Sequence, residues 1–110
     1  MSSPTPAYRI EVDAAADRML AAISDRRHQA KIVERMEDLA HEPDLQGKPL
    51  VGDLQGYRSV RAVGQRFRIV YRTDQDNGVV RVVAISLRKQ GDKKDVYALT
   101  QKLWNRGELP

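Results

Sequence analysis

The chain has 110 residues, 19 Lys plus Arg against 15 Asp plus Glu, and a formal net charge of +4. That length suits one domain with its own core, and the absence of Cys excludes disulfides, zinc-thiolate sites and thiol nucleophiles, so a reducing cytoplasm is the expected home. Uninterrupted apolar runs such as Val82 to Ile85 are far too short to span a membrane, and Met1 to Ala7 has neither the basic start nor the apolar core of a secretory signal.

Residues 1–7 (MSSPTPA) are polar with two prolines and read as a flexible lead segment; residues 8–110 read as the single domain. Tyr8 to Val12 alternates apolar and charged side chains, the pattern of a half-buried strand. Asp13 is placed to cap a first helix running to about Ile23. Ser24 is placed to cap a second, whose Ile32, Val33, Met36, Leu39 and Ala40 recur along one stripe. His41-Glu42-Pro43 ends it, because the residue before proline is pushed out of the helical region. Residues 44–56 read as a loop tethered by Leu45, Leu50, Val51 and Leu54.

Tyr57 to Val63 and Phe67 to Thr73 read as strands joined at Gly64-Gln65. In the second of them Phe67, Ile69 and Tyr71 alternate with Arg68, Val70 and Arg72. Asp74 to Gly78 carries a hairpin signal, with Asn-Gly suited to positive φ. Val79 to Leu87 is apolar on both parities except Arg81 and Ser86, which predicts an inner strand covered on both faces. Asp95 to Trp104 reads as a closing helix with Val96, Leu99 and Leu103 on one side. The expected class is therefore α+β in the order β-α-α-β-β-β-α. It is a mostly antiparallel four-stranded sheet with a helical hairpin on one face and the last helix near the other. Ile32, Met36, Leu39, Phe67, Ile69 and Tyr71 should be buried together.

Charge is unevenly distributed. Residues 1–56 carry seven basic and ten acidic side chains; residues 57–94 carry ten basic and three acidic, and seven of those ten are Arg. Such a stretch is either a solvated face or the footprint of an anionic partner, nucleic acid first. Guanidinium groups without carboxylate partners repel one another unless an anion joins them. A pI near 9.6 suits a partner with acidic and apolar surface. His28 and His41 lie far along the chain from the basic region and read as surface residues. No phosphate loop, zinc signature or serine elbow is present, and carboxylates are scarce after residue 56. Tyr97 either packs in the core or stacks on an unpaired base. Metal-free RNA cleavage needs a base for the 2′-OH, an acid for the 5′-oxygen and fixed positive charge on the phosphorane. Arg supplies the last but not the first, since it does not lose its proton.

The strand YRIEV, the segment GKPLVGDLQGYRSVRAVGQRFRIVYR and the segment VVRVVAISLRKQGDKKDVY together resemble the RelE/ParE superfamily of bacterial toxins. The resemblance runs from Tyr8 to about Leu103 and rests on the order and spacing of Gly47, Leu50, Leu54, Gly56, Arg61, Gly64, Phe67 to Tyr71, Arg88-Lys89 and Asp95 to Tyr97. It implies a toxin encoded beside a cognate antitoxin, in a hetero-oligomeric complex that binds operator DNA through the antitoxin. RelE-type members cut messenger RNA on the ribosome, whereas ParE-type members poison DNA gyrase. A toxin that only binds its antitoxin is the plainest alternative.

Residue by residue, the RelE-like site is matched by Arg68 on the third strand, Arg88 at the end of the fourth and Tyr97 near the last helix. Arg58 and Arg61 stand where basic residues, often Lys, occupy the second strand. The resemblance thus makes Arg61, Arg68, Arg88 and Tyr97 catalytic candidates, with Arg58, Arg66, Lys89, Lys93 and Lys94 as RNA-binding candidates. No metal or cofactor is implied, and the general base is unassigned, with Lys93 or Lys94 available if their loop folds back.

Overall fold

A computed structural model describes residues 7–110; the lead segment expected over 1–7 therefore lies, except for Ala7, outside the described residues. The strands are β1 (Arg9–Val12), β2 (Lys48–Pro49), β3 (Arg58–Ala62), β4 (Phe67–Asp74) and β5 (Val79–Leu87). The helices are α1 (Ala14–Ala21), α2 (Arg26–Asp38) and α3 (Val96–Asn105). The sheet order is β1-β5-β4-β3-β2, with β1 parallel to β5 and every other pairing antiparallel. The expected α+β architecture is present with one strand more than predicted. Lys48–Pro49 pairs with Ser59 and Arg58 inside the segment read as a loop, and two residues are too few to show alternation.

Alternation along β4 divides the core between two faces. Phe67, Ile69 and Tyr71 pack with Ile32, Met36 and Leu39 beneath the helical hairpin. Val70 joins Val83, Ala84, Tyr57 and Val96 beneath α3. A register shift at Val70/Tyr71 lets β4 and β5 serve both faces along their length.

Several local expectations are corrected. Asp25, not Ser24, caps α2: its carboxylate accepts from the N–H groups of Arg27 and His28 at 2.8 and 3.3 Å. Helix α1 stops at Ala21 because Gln29 Nε2 donates to the Leu20 and Ile23 carbonyls, closing the hairpin. Asp13 occupies the cap position of α1 without a side-chain cap bond; its carboxylate lies 3.7 Å from Arg81. Val33 is exposed, one residue round the helix from buried Ile32. Leu45 and Val51 point to solvent, leaving Leu54 buried and Leu50 half-buried as the tethers. On α3 the buried residues are Val96, Thr100 and Leu103, and Leu99 is half-buried. In the β4–β5 hairpin Gly78 alone takes positive φ, while Asn77 bonds back to Asp74. The β3–β4 turn begins at Val63, whose φ of 53° is a costly conformation for a β-branched residue.

The connection from α2 to β3 is held down by two side chains. The buried Tyr71 hydroxyl donates to the Pro43 and Gln46 carbonyls at 2.7 and 3.0 Å. Arg58 donates to the Gln46 and Gly47 carbonyls. Gly47, at φ 65°, lies so close to β3 that a Cβ there would stand 2.1 Å from the Ser59 carbonyl oxygen. Gly47→Ala should therefore lose about 2–3 kcal/mol in urea unfolding, against about 1 kcal/mol for Gly52→Ala, which has the same sign of φ but open space. Equal losses would show that backbone conformation, not the close approach, is what Gly47 supplies.

Candidate functional site

The held-down connection brings Lys48 over the end of β3. There it meets Arg61 from β3, Arg68 from β4, Arg35 from α2 and Tyr97 from α3 around a cavity of about 470 Å³, with Gly47, Ser59 and Val60 completing the wall. Arg61 and Arg68 stand opposite each other in the β3–β4 register, so both project from one face. None of the four basic groups has a carboxylate within 4 Å among the described residues. Arg68 is held instead by the Gln65 and Phe67 carbonyls, and Arg35 by Gln46 Oε1 at 2.8 Å. Gln46 in turn donates to the Asp38 and His41 carbonyls, tying the C-terminus of α2 to the cavity wall.

The Tyr97 hydroxyl shares a 2.8 Å hydrogen bond with the hydroxyl of buried Ser59. Its ring lies under the Arg88 guanidinium, 4.9 Å from the centroid. The half-buried ring thus packs on the sheet while its edge lines the cavity.

Arg88 is tied to a carboxylate. Asp95, 4% exposed, accepts from Arg88 Nη1 at 2.8 Å and from Lys89 N at 2.7 Å. Its second oxygen accepts from Tyr97 N and Ala98 N, capping α3. Of the cations expected from sequence to lack a carboxylate partner, Arg61 and Arg68 have none within 4 Å among the described residues, whereas Arg88 has Asp95.

The structure brings Arg61, Arg68 and Tyr97 together around the cavity, while Arg88 lies over the Tyr97 ring and is not among the lining residues. Arg58 turns to the Gln46 carbonyl, and Lys89 lies 3.8 Å from Asp92. Lys93 is exposed on the same loop, while Arg66 and Lys94 line a different groove. Sequence reasoning missed Lys48, Arg35, Ser59 and Asp95. A Lys directly after a glycine that the resemblance had singled out was the one available signal for Lys48.

Burial by itself pushes the Asp95 carboxyl up, but Arg88 and the three backbone N–H groups together hold it below the ordinary carboxylate range. A lowered folded pKa contributes stability that is present above the unfolded value, about 3.9, and is lost as pH falls through the folded value. Asp95→Asn should accordingly cost about 1–3 kcal/mol near neutrality, and the gap to the parent should shrink as pH drops below about 4. Urea unfolding between pH 3 and 7 measures it; a gap constant with pH would remove the charge from the account.

Comparison with known proteins supplies the lineage. Residues 8–91 match the family described as the ParE toxin of the type II toxin–antitoxin system, parDE. No curated protein matches the sequence. Among solved structures, the toxin–antitoxin complex RelBE2 from Mycobacterium tuberculosis is 30% identical, over 79% of this chain and 98% of that one, with a TM-score of 0.68. The intact E. coli RelBE complex is 15% identical over 76% and 100% of the two chains, TM-score 0.64. The YoeB/ParE toxin from Agrobacterium tumefaciens is 21% identical over 74% and 99%, TM-score 0.62. With the family match spanning residues 8–91 and a 30% identical relative covered over 98% of its length, the chain belongs to the ParE toxin family of type II toxin–antitoxin systems, within the RelE/ParE superfamily.

Proposed function

We propose that this toxin is a ribosome-dependent messenger RNA endoribonuclease. The observation that supports the reading most is the cavity in which Arg35, Lys48, Arg61 and Arg68 face Tyr97 with no carboxylate among them. Fixed cations of this kind are suited to the charge that grows on phosphate oxygens as the 2′-OH attacks. Arg61 and Arg68, opposite each other on adjacent strands, would take the non-bridging oxygens in bidentate fashion. Lys48 is the lining cation that can exchange a proton, which a guanidinium cannot, and so is the candidate base or acid. Tyr97, its hydroxyl held by Ser59, would present its free edge to a base or to the departing 5′-oxygen. The 2′-OH must also be placed in line with the scissile bond, and the ribosome would supply that alignment.

The partners follow from the same reading. As a type II toxin the chain has an antitoxin protein for partner; message on the ribosome, and operator DNA reached through the antitoxin, are proposed. Among the described residues no helix is long and apolar enough to cross a membrane, and the reading places the toxin in the cytoplasm with the ribosomes.

A second reading is favoured by the family match itself, which is to ParE toxins. On that reading the chain inhibits DNA gyrase and carries no nuclease chemistry, and the basic cavity is a docking surface.

Message cleavage on programmed ribosomes, run beside a gyrase supercoiling assay, separates the two. Arg61→Ala and Arg68→Ala should each lower cleavage on the order of 10²-fold or more, with the fold intact. Arg68→Lys should recover only part, since an ammonium cannot reproduce the fork. Arg88→Ala should act through Tyr97 and the α3 cap, so it should also lower stability. Intact message together with blocked supercoiling would overturn the ribonuclease reading in favour of the gyrase one.

A further inference from the structure

A second cavity, of about 540 Å³, lies between the α1–α2 turn, the β3–β4 turn and the start of α3. Its apolar wall is assembled from distant parts of the chain. Met19 and Ile23 come from α1 and the turn after it, Phe67 and Leu87 from β4 and β5, and Leu99 from α3. A concave space of this size, apolar within and with a few polar groups around it, has the character of a small-molecule site.

The polar groups divide into those already engaged and those that are not. Asp25, the one carboxylate in the wall, accepts the Arg27 and His28 N–H groups and caps α2. The Ser86 hydroxyl donates to the Lys94 carbonyl at 2.7 Å, tying the end of the 88–94 loop to β5. The His28 ring, read from sequence as a surface group, is half-buried against Phe67, with centroids 5.5 Å apart and planes at 62°. Ile85 is fully buried and its N–H rests on Met19 Sδ, so a peptide strand finds no main-chain partner there. Arg66 and Lys94 remain. Both are exposed, and among the described residues neither has a carboxylate within 4 Å. They line the cavity from separate segments, Arg66 from the β3–β4 turn and Lys94 from the loop before α3.

We propose that this cavity binds a small amphipathic anion, an acyl or aryl carboxylate whose apolar body lies against Met19, Ile23, Leu87 and Leu99 while its head group meets Arg66 and Lys94. An uncharged apolar ligand would leave the two cations to water, and a bare inorganic anion would leave the apolar wall unfilled. The Met19 side chain suits the body of such a ligand, since a thioether adapts to irregular shapes. A nucleobase has no stacking platform here, because Phe67 is 5% exposed and already faces His28. The inference goes beyond the ribonuclease reading: no residue of this cavity lines the basic one beside Tyr97, and the test does not read cleavage.

The test is methyl and amide NMR on the full, isotope-labelled chain, titrated with sodium octanoate. Shifts should centre on the methyl groups of Met19, Ile23, Leu87 and Leu99. Octylammonium chloride, the same body with the opposite charge, should bind at least about tenfold more weakly. The exposed-site double variant Arg66→Glu with Lys94→Glu should invert that order, with the core amides of Ile69 and Val82 unmoved as proof of folding. Acetate, a head group without a body, should leave the methyl signals in place at the same concentration. No methyl shift at millimolar octanoate, equal binding of the two octyl ions to the parent chain, shifts centred on Arg61 and Tyr97, the same shifts from acetate or from a short oligouridylate, or shifts seen only with anionic phosphatidylglycerol vesicles would each overturn the proposal.

Discussion

Burial of β4 and β5 from both sides is the constraint on which the rest of the molecule depends. A strand pair covered on one face by a helical hairpin and on the other by α3 has no free choice of register: a slip by one residue would drive Arg68 and Arg72 into the space of Ile69 and Tyr71. The irregularity at Val70/Tyr71 keeps both faces filled past the point where strict alternation would lose step. Because the inner strands are fixed in this way, Arg68 emerges at the same height as Arg61 on the neighbouring strand, at the end of the sheet that α3 leaves partly open.

Two polar networks carry that order outward to the loops. Tyr71, buried at the sheet centre, spends its hydroxyl on two carbonyls of the 43–47 connection, and Gly47 admits the close approach to Ser59 that sets Lys48 beside the cavity. Asp95 acts in the same manner on the other side. One carboxylate caps a helix, neutralises Arg88 and anchors the start of the 88–94 loop, and its burial is tolerable because every bond it makes is charge-assisted. Removing the Tyr71 hydroxyl would leave the Pro43 and Gln46 carbonyls to the Gln46 N–H and Arg58 alone, and removing the Asp95 carboxylate would leave half-buried Arg88 without its carboxylate and α3 without its cap.

The electrostatics then divide into compensated and uncompensated halves. Arg88 and Arg81 are paired with carboxylates, and Arg58 is engaged by carbonyls. Arg35, Lys48, Arg61 and Arg68 share a cavity with no carboxylate, so their repulsion is relieved chiefly by solvent, or by an anion when one enters.

Composition, the period-two pattern of Phe67, Ile69 and Tyr71, the period-3.6 pattern of Ile32, Met36 and Leu39, and the Asp74–Gly78 turn were enough to determine the class of fold and the faces of its strands. These signals are local, because burial of one face imposes its own period on neighbouring residues. The basic character of residues 57–94 was equally plain. Which of its ten cations share a cavity was decided only in three dimensions. Lys48 and Arg35 come from segments that are not basic, brought in by a loop whose path depends on the Tyr71 hydroxyl and on the space at Gly47. Arg88 is withdrawn by Asp95, seven residues on, a pairing that needs the loop between them to fold back. Periodicity specifies what a strand buries; convergence of side chains depends on register, on loop paths and on which carboxylate arrives first, and those are properties of the packed chain.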